Sequence, residues 1–286
     1  MNKNYYELNN LSDISDGYDG ILSDIWGVLH NGIRANEQAV AALVKYRQKG
    51  GKVILITNAS RTRPAIQKML DNMNISRDAY DGIVTSGDVT KKIVASYKGQ
   101  IIHHVGPEMD NAIFDNIDVT KGIAKNASCV VVTGFDDDEE TPDDYDERLK
   151  FWLELKLPMI CTNPDAIVEI GDKIYYCPGS IADKYEQIGG EVLQAGKPFS
   201  PIYEASFLAL QKAGIDNAKQ KKILAIGDSV RTDAKGAAKN SLDLLFITGS
   251  IHAKEIDENA HDRAKKIISL LAPSGVNLIG YQTILE

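Results

Sequence analysis

Apolar β-branched runs alternate with helix-spaced patterns along this chain, and that rhythm permits few folds. "YDGILSDI" reads as a strand. After a turn, "ANEQAVAALVKYRQKG" sets Ala39, Val40, Leu43, Val44 and Tyr46 close to helical spacing and stops at Gly50-Gly51. "KVILITN" follows as a near-continuous apolar run, the pattern of a strand covered on both faces. "TRPAIQKML" opens the next helix with Pro64 in its first turn, and "DGIVTSGD" leads from strand into helix. Near the C-terminus "KKILAIGDS", "RTDAKGAAKN" and "LDLLFITG" repeat the sequence of elements. Strand, helix, strand, helix implies an α/β fold with a parallel sheet and right-handed crossovers.

Between these two blocks lie "QIIHHVG", "CVVVTGF", "LPMICTN" and "KIYYCPG". One sheet holding all these strands would exceed the usual size, so a second α/β domain inserted into the first is expected. The expected division is a core over 1–87 and 194–286, with the inserted domain over 88–193. The run "DDDEETPDDYDE" lacks the glycine punctuation of a calcium loop and reads as a solvated segment feeding an acidic helix N-terminus.

With 286 residues, 43% of them hydrophobic, the chain can bury a substantial core. A net charge of −8 argues against a nucleic-acid partner, which calls for a basic stripe. A small anionic substrate remains compatible, because local cations and backbone N–H groups can dominate inside a cleft. "MNKNYYELNN" has no signal-peptide core and no apolar run is long enough to span a bilayer, so a cytoplasmic location without membrane contact is expected. Cys129, Cys161 and Cys177 are odd in number and lack CxxC spacing, which suits buried free thiols. Self-association into a homo-oligomer is left open.

In a parallel α/β sheet, residues at the carboxyl ends of strands face one crevice. Asp24 follows "GILS", Thr57 and Asn58 follow "VILI", Lys197 sits in "LQAGKP", and Asp228 follows "ILAIG" with Asp233 a helical turn beyond. Together they offer a carboxylate nucleophile, a hydroxyl and an amide for anion contacts, a cation, and a second carboxylate for a hard metal. Phosphoryl transfer needs those parts: the charge on the phosphate oxygens must be offset before an anionic nucleophile approaches, and Mg²⁺ between carboxylates with Lys opposite does so.

"DIWGVLHNG", "ITNAS", "GKP" and "GDSVRTD" resemble the four ordered motifs of the haloacid dehalogenase superfamily of phosphohydrolases. "TNPD" and "CPGSIADKYEQIGG" resemble its subfamily IIA, in the branch of nucleotide, sugar and 4-nitrophenyl phosphatases. The resemblance implies a Rossmann-like core with an inserted α/β cap, a small phosphorylated metabolite as substrate and Mg²⁺ as cofactor. It implies that Asp24 is the nucleophile and first metal ligand, that Thr57 and Asn58 bind phosphate, and that Lys197 stabilises the phosphoryl oxygens. Asp228 is implied as a metal ligand, Trp26 as a ligand through its backbone carbonyl, and Ser229 and Asp233 as shaping the substrate and metal environment. Asn163 and Asp165 of the cap are the expected substrate contacts, although Asn-Pro-Asp is also strong turn chemistry.

The resemblance also implies a second Asp where this chain has Trp26. An indole N–H donates and does not usefully titrate, so the acid and base work of that position is vacant. His30 is a candidate substitute, although a lone His in such a loop is commonly structural. Three readings stay open: a slow or specialised phosphatase, a phosphate-binding regulator without turnover, and a different reaction on the same aspartate.

Overall fold

A computed structural model describes residues 6–170, 173–256 and 260–286. Residues 1–5, part of the stretch from which the lack of a signal-peptide core was read, lie outside them. The chain separates into two compact units, one comprising Met1–Thr57, Gln67–Val84 and Tyr203–Glu286, the other Asn58–Ile66 and Thr85–Ile202. The second unit thus runs past the expected cap limits of 88–193 at both ends.

The first unit is built on a seven-stranded sheet. Its order is Tyr6–Glu7, Asn277–Gln282, Asp243–Ile247, Ile223–Gly227, Gly20–Asp24, Lys52–Thr57 and Gly82–Thr85. Gly20–Asp24 pairs in parallel with both neighbours, Ile21 lying opposite Leu224 on one side and Val53 on the other. Ile21, Leu22, Val53, Ile54 and Leu55 are buried, which explains why these segments read as continuous apolar runs and not as alternating ones. Successive strands move one way from Gly20–Asp24 to Gly82–Thr85, then the other way from Ile223–Gly227 to Asn277–Gln282. The chain order therefore reverses between the strands that end at Asp24 and just before Asp228, the place where open α/β sheets form a crevice.

Helix Glu37–Gln48 starts at Asn36, whose side chain accepts the Ala39 N–H. It buries Ala39, Ala42, Leu43 and Tyr46, while Val40 and Val44 are half-buried. Gly50 adopts φ +94°, and a side chain at Gly51 would strike the Tyr46 ring, so the glycine pair both ends the helix and admits that aromatic.

The second unit has its own sheet, in the order Val192–Gln194, Met159–Cys161, Val130–Val132, Ile101–Val105 and Thr120–Lys121, all paired in parallel. Tyr145, Trp152 and Tyr185 pack with Val130 and Val132 in one cluster, and Ile102, Ile113 and Val131 form another, so apolar material covers both faces. The expected strand "KIYY" does not join this sheet. Lys173–Tyr176 pairs antiparallel with Ile167–Ile170 in a separate two-stranded sheet. Lys173, Ile174 and Tyr176 are exposed, and a strand so little buried cannot sit within a sheet covered on both faces. The acidic run forms a capping box between Thr141 and Asp144 and leads into helix Asp146–Glu154. All three cysteines are buried, and none forms a disulfide among the described residues. Among the described residues no helix is long and apolar enough to cross a membrane.

Candidate active site

Asp24 closes the central strand, and its Oδ1 accepts the N–H of Ile25 at 2.7 Å. Asp228 follows the neighbouring strand Ile223–Gly227. Beyond it the chain makes one π-helical turn, Val230–Ala234, capped by Ser229, whose hydroxyl accepts the Thr232 N–H. That turn carries Asp233 back toward the strand end, where its Oδ2 accepts the Ser229 N–H at 3.2 Å. Carboxylate oxygens of Asp24, Asp228 and Asp233 lie within 4.8 Å of one another, and all three residues are buried.

Two glycines make this convergence possible. A side chain at Gly27, which has φ +83°, would run into the Asp228 carboxylate and the Ser250 hydroxyl; one at Gly227 would run into Asp233. Like charges this close repel by roughly 3 kcal/mol per pair at an effective dielectric of ~20. An array of buried carboxylate oxygens is the donor set that hard divalent cations prefer, and such an ion offsets the repulsion. The chemistry of these residues therefore fits Mg²⁺.

Trp26 is half-buried, and its ring meets His30 edge to face, the centroids 4.8 Å apart. His30 is buried, and its Nδ1 accepts the Gly32 N–H at 2.9 Å. That bond occupies the Nδ1 lone pair and places the ring proton on Nε2, which has no hydrogen-bond partner among the described residues. Burial pushes the imidazole pKa down to about 4. The ring is thus neutral near pH 7, with its one acceptor nitrogen engaged.

Thr57 is buried at the end of its strand. The remaining expected residues belong to the second unit. Asn58 donates through Nδ2 to Asp165 Oδ1 at 3.1 Å and to the Lys197 carbonyl at 3.2 Å, while its Oδ1 accepts the Lys197 N–H at 2.6 Å. Both amide hydrogens and the amide oxygen are in use, so the side chain brackets Lys197 and Asp165. Lys197 itself is 2% exposed, a degree of burial that cations reach only with compensation. Asn163 Oδ1 accepts the Asp165 N–H at 2.9 Å, closing the local turn that Asn-Pro-Asp favours. A side chain at Gly196 would meet Asn58 and Pro164, which explains the glycine in "AGKP".

The fold thus brings Asp24, Asp228 and Asp233 together in one unit and Asn58, Asp165 and Lys197 together in the other. Residues missed in the sequence include Ser60, which donates to the Thr133 carbonyl at 2.6 Å and meets the Thr162 hydroxyl at 2.6 Å. Each of these follows an apolar run closely, which was the available signal. Arg61 lies 3.8 Å from the buried Asp110, whose carboxyl burial lifts to about 6. Nothing in the spacing of that pair marks it.

The chain matches two family models, one described as haloacid dehalogenase-like hydrolase over residues 21–120 and one as HAD-hydrolase-like over residues 194–273. It is 44% identical to a solved hydrolase of the haloacid dehalogenase-like family from Brucella suis 1330, covering 86% of this chain and 94% of that one with a TM-score of 0.81. Its fold is also similar to that of a possible sugar phosphatase of the HAD superfamily from Cytophaga hutchinsonii, at 18% identity, 98% and 99% coverage and a TM-score of 0.79. A glycerol phosphate phosphatase from Mycobacterium tuberculosis, solved in complex with magnesium, is similar at 18% identity, 83% and 70% coverage and a TM-score of 0.63. No curated protein matches the chain.

Proposed function

Since this chain belongs to the haloacid dehalogenase-like hydrolase family, we propose that it is a Mg²⁺-dependent phosphohydrolase acting on a small phosphorylated metabolite, of the sugar phosphate or nucleotide monophosphate class. The observation that carries the reading is the convergence of Asp24, Asp228 and Asp233 where the strand order reverses.

Asp24 is the nucleophile: its carboxylate attacks phosphorus, forming an aspartyl phosphate that water then hydrolyses. Asp24, Asp228 and the Trp26 carbonyl would hold Mg²⁺. Bound there, Mg²⁺ supplies charge that offsets the phosphoryl oxygens. The Thr57 hydroxyl donates to a phosphoryl oxygen, and the family resemblance assigns to Lys197 the fixed positive charge that offsets the phosphoryl oxygens. Asn58, with its amide engaged, contributes by holding the Lys197 backbone. Ser229 holds the π-helical turn that carries Asp233, and Asp165 with Asn163 shapes the substrate end of the second unit. The net charge of −8 favours a small anion over a nucleic acid, and buried cysteines outside any disulfide go with a cytoplasmic setting.

A panel of phosphate esters and acyl phosphates, assayed with Mg²⁺ and with EDTA, tests the reading. Phosphate release that needs the metal and disappears in Asp24→Asn is the expected result. Trp26 favours a second reading, a phosphate-binding regulator. Metal-dependent binding with no turnover across the panel would select it.

A further inference from the structure

Three buried carboxylates repel one another, so the segment that carries two of them has to be held in place if a cation is to find its ligands assembled. Asp228 leads into that segment, and the π-helical turn Val230–Ala234 brings Asp233 back to it. Two of its ties are internal. The Ser229 hydroxyl accepts the Thr232 N–H, and Asp233 Oδ2 accepts the Ser229 N–H. Such bonds set the shape of the turn and leave its position against the sheet to other groups.

A third tie reaches it from elsewhere in the same unit. The first N–H groups of a helical turn have no partner within it. That of Val230 is accepted by Nε2 of His252 at 3.3 Å. His252 lies in the loop after Asp243–Ile247, the strand next to the one that leads to Asp228. A nitrogen that accepts an N–H carries no proton itself, so the ring proton sits on Nδ1 and is donated to Glu255 Oε2 at 3.2 Å. Glu255 thereby selects the tautomer in which Nε2 can accept. The His252 side chain is only 17% exposed, and its ring lies 6.2 Å from that of Phe246 in the strand, which anchors the acceptor to the sheet. The same loop approaches the cluster at a second point, because Ser250 Oγ and Asp228 Oδ2 both border the space that a side chain at Gly27 would need.

We propose that His252, its tautomer set by Glu255, is a positioning residue that holds Asp228 and Asp233 in place against Asp24, so that the affinity of the site for Mg²⁺ depends on this imidazole. The inference rests on the phosphohydrolase reading, in which the cluster holds Mg²⁺. His252 acts through the Val230 backbone, two residues from Asp228. Removing a group that orients a metal ligand typically costs about 10- to 100-fold in affinity, and an effect passed through backbone belongs at the lower end of that range. An acceptor needed only for folding would show its loss in the metal-free protein; one needed for positioning shows it in the affinity for metal.

Mg²⁺ titrated into the protein with the thermal midpoint as readout, and Mn²⁺ bound in its place and followed by electron paramagnetic resonance, measure affinity without reference to turnover. His252→Ala should weaken binding of either ion about tenfold. His252→Gln, whose side-chain oxygen reaches the place of Nε2, should restore it to within about threefold of native. His252→Asn, one carbon shorter, should not. Glu255→Ala frees the ring to divide between two tautomers, only one of which accepts, and should weaken binding about two- to fivefold. Glu255→Gln still accepts from Nδ1 and should bind as the native protein does. Glu255 is exposed, so this pair of variants decides the matter if His252→Ala does not fold. Native affinity in His252→Ala, or in Glu255→Ala where the former does not fold, would overturn the inference and leave the phosphohydrolase reading standing. A His252→Gln variant as weak as His252→Ala would overturn it too. A native protein that binds neither ion and releases no phosphate from p-nitrophenyl phosphate would overturn both.

Discussion

Both units end a parallel sheet in polar residues, yet they treat those residues in opposite ways. The first gathers like charges, with three buried carboxylates inside 4.8 Å. The second gathers complementary groups, Asn58 bracketing Asp165 and Lys197 while Ser60, Thr133 and Thr162 meet through hydrogen bonds. A complementary cluster rigidifies its surroundings without help from outside. A like-charge cluster opposes folding and is explained by an external cation or a reaction that uses it. The contrast separates positioning from chemistry, and it can be attacked from either side.

The largest expected effect falls on the chemical side. Asp24→Asn keeps the shape of the side chain and removes both its nucleophilicity and one of the three like charges, so turnover should fall about 10⁴-fold or more while the thermal midpoint without metal rises. Residual turnover within tenfold of native, measured on any substrate the native protein accepts, would remove Asp24 from the mechanism. On the other side, Asn58→Ala deletes the bracket and strands the buried Lys197 N–H. The cost should be about 3 to 4 kcal/mol, read as a thermal midpoint lowered by roughly 5 to 7 °C. A midpoint within a degree or two of native would mean the bracket is incidental.

The same contrast explains what could be read from the sequence. The central strands were legible because burial on both faces writes an uninterrupted apolar run, and Asp24 and Asp228 stand where those runs stop. Their convergence with Asp233 was legible too, through strand order and a helical turn. Asn58 was harder, since an amide after a strand looks the same whether it faces a ligand or two neighbours of its own chain. His30 was harder still: its tautomer depends on a backbone N–H two residues away, which the letters HNG do not specify. "KIYY" misled for a related reason, because β-branched and aromatic composition marks a strand without saying which sheet receives it.

Burial gives each unit a histidine held down to about 4, His30 in the first and His104 in the second. The unfolded chain takes up these protons near pH 6.5, whereas the folded chain resists until about pH 4. The stability they contribute is present above pH 6.5 and is lost as pH falls toward 4, because the unfolded state then binds more protons. For His30 the full span corresponds to about 3 kcal/mol. Asp110 acts in the opposite sense: burial raises its carboxyl to about 6, so its contribution is present below about pH 4 and is lost as pH rises through 6. His30→Gln should therefore flatten the fall in thermal midpoint between pH 7 and pH 4.5, leaving the part due to His104. A variant as acid-sensitive as the native protein would show that His30 does not set this slope.

Metal binding should give the smallest effect and the sharpest test of the contrast. A cation that binds the folded carboxylate cluster and not the unfolded chain stabilises by RT ln(1 + [L]/Kd), about 1.4 kcal/mol at tenfold excess over Kd. For a chain of this size that is a rise in thermal midpoint of roughly 2 to 3 °C. Asp228→Asn should abolish the rise, since it removes one of the charges that attract the ion. Asn58→Ala should keep it, at a lower starting midpoint, because its damage lies in the complementary cluster of the other unit. If Asn58→Ala lost the Mg²⁺ response while Asp228→Asn retained it, the division of labour between the two clusters would be inverted, and the metal would have to be sought around Lys197, where a buried cation already occupies the field.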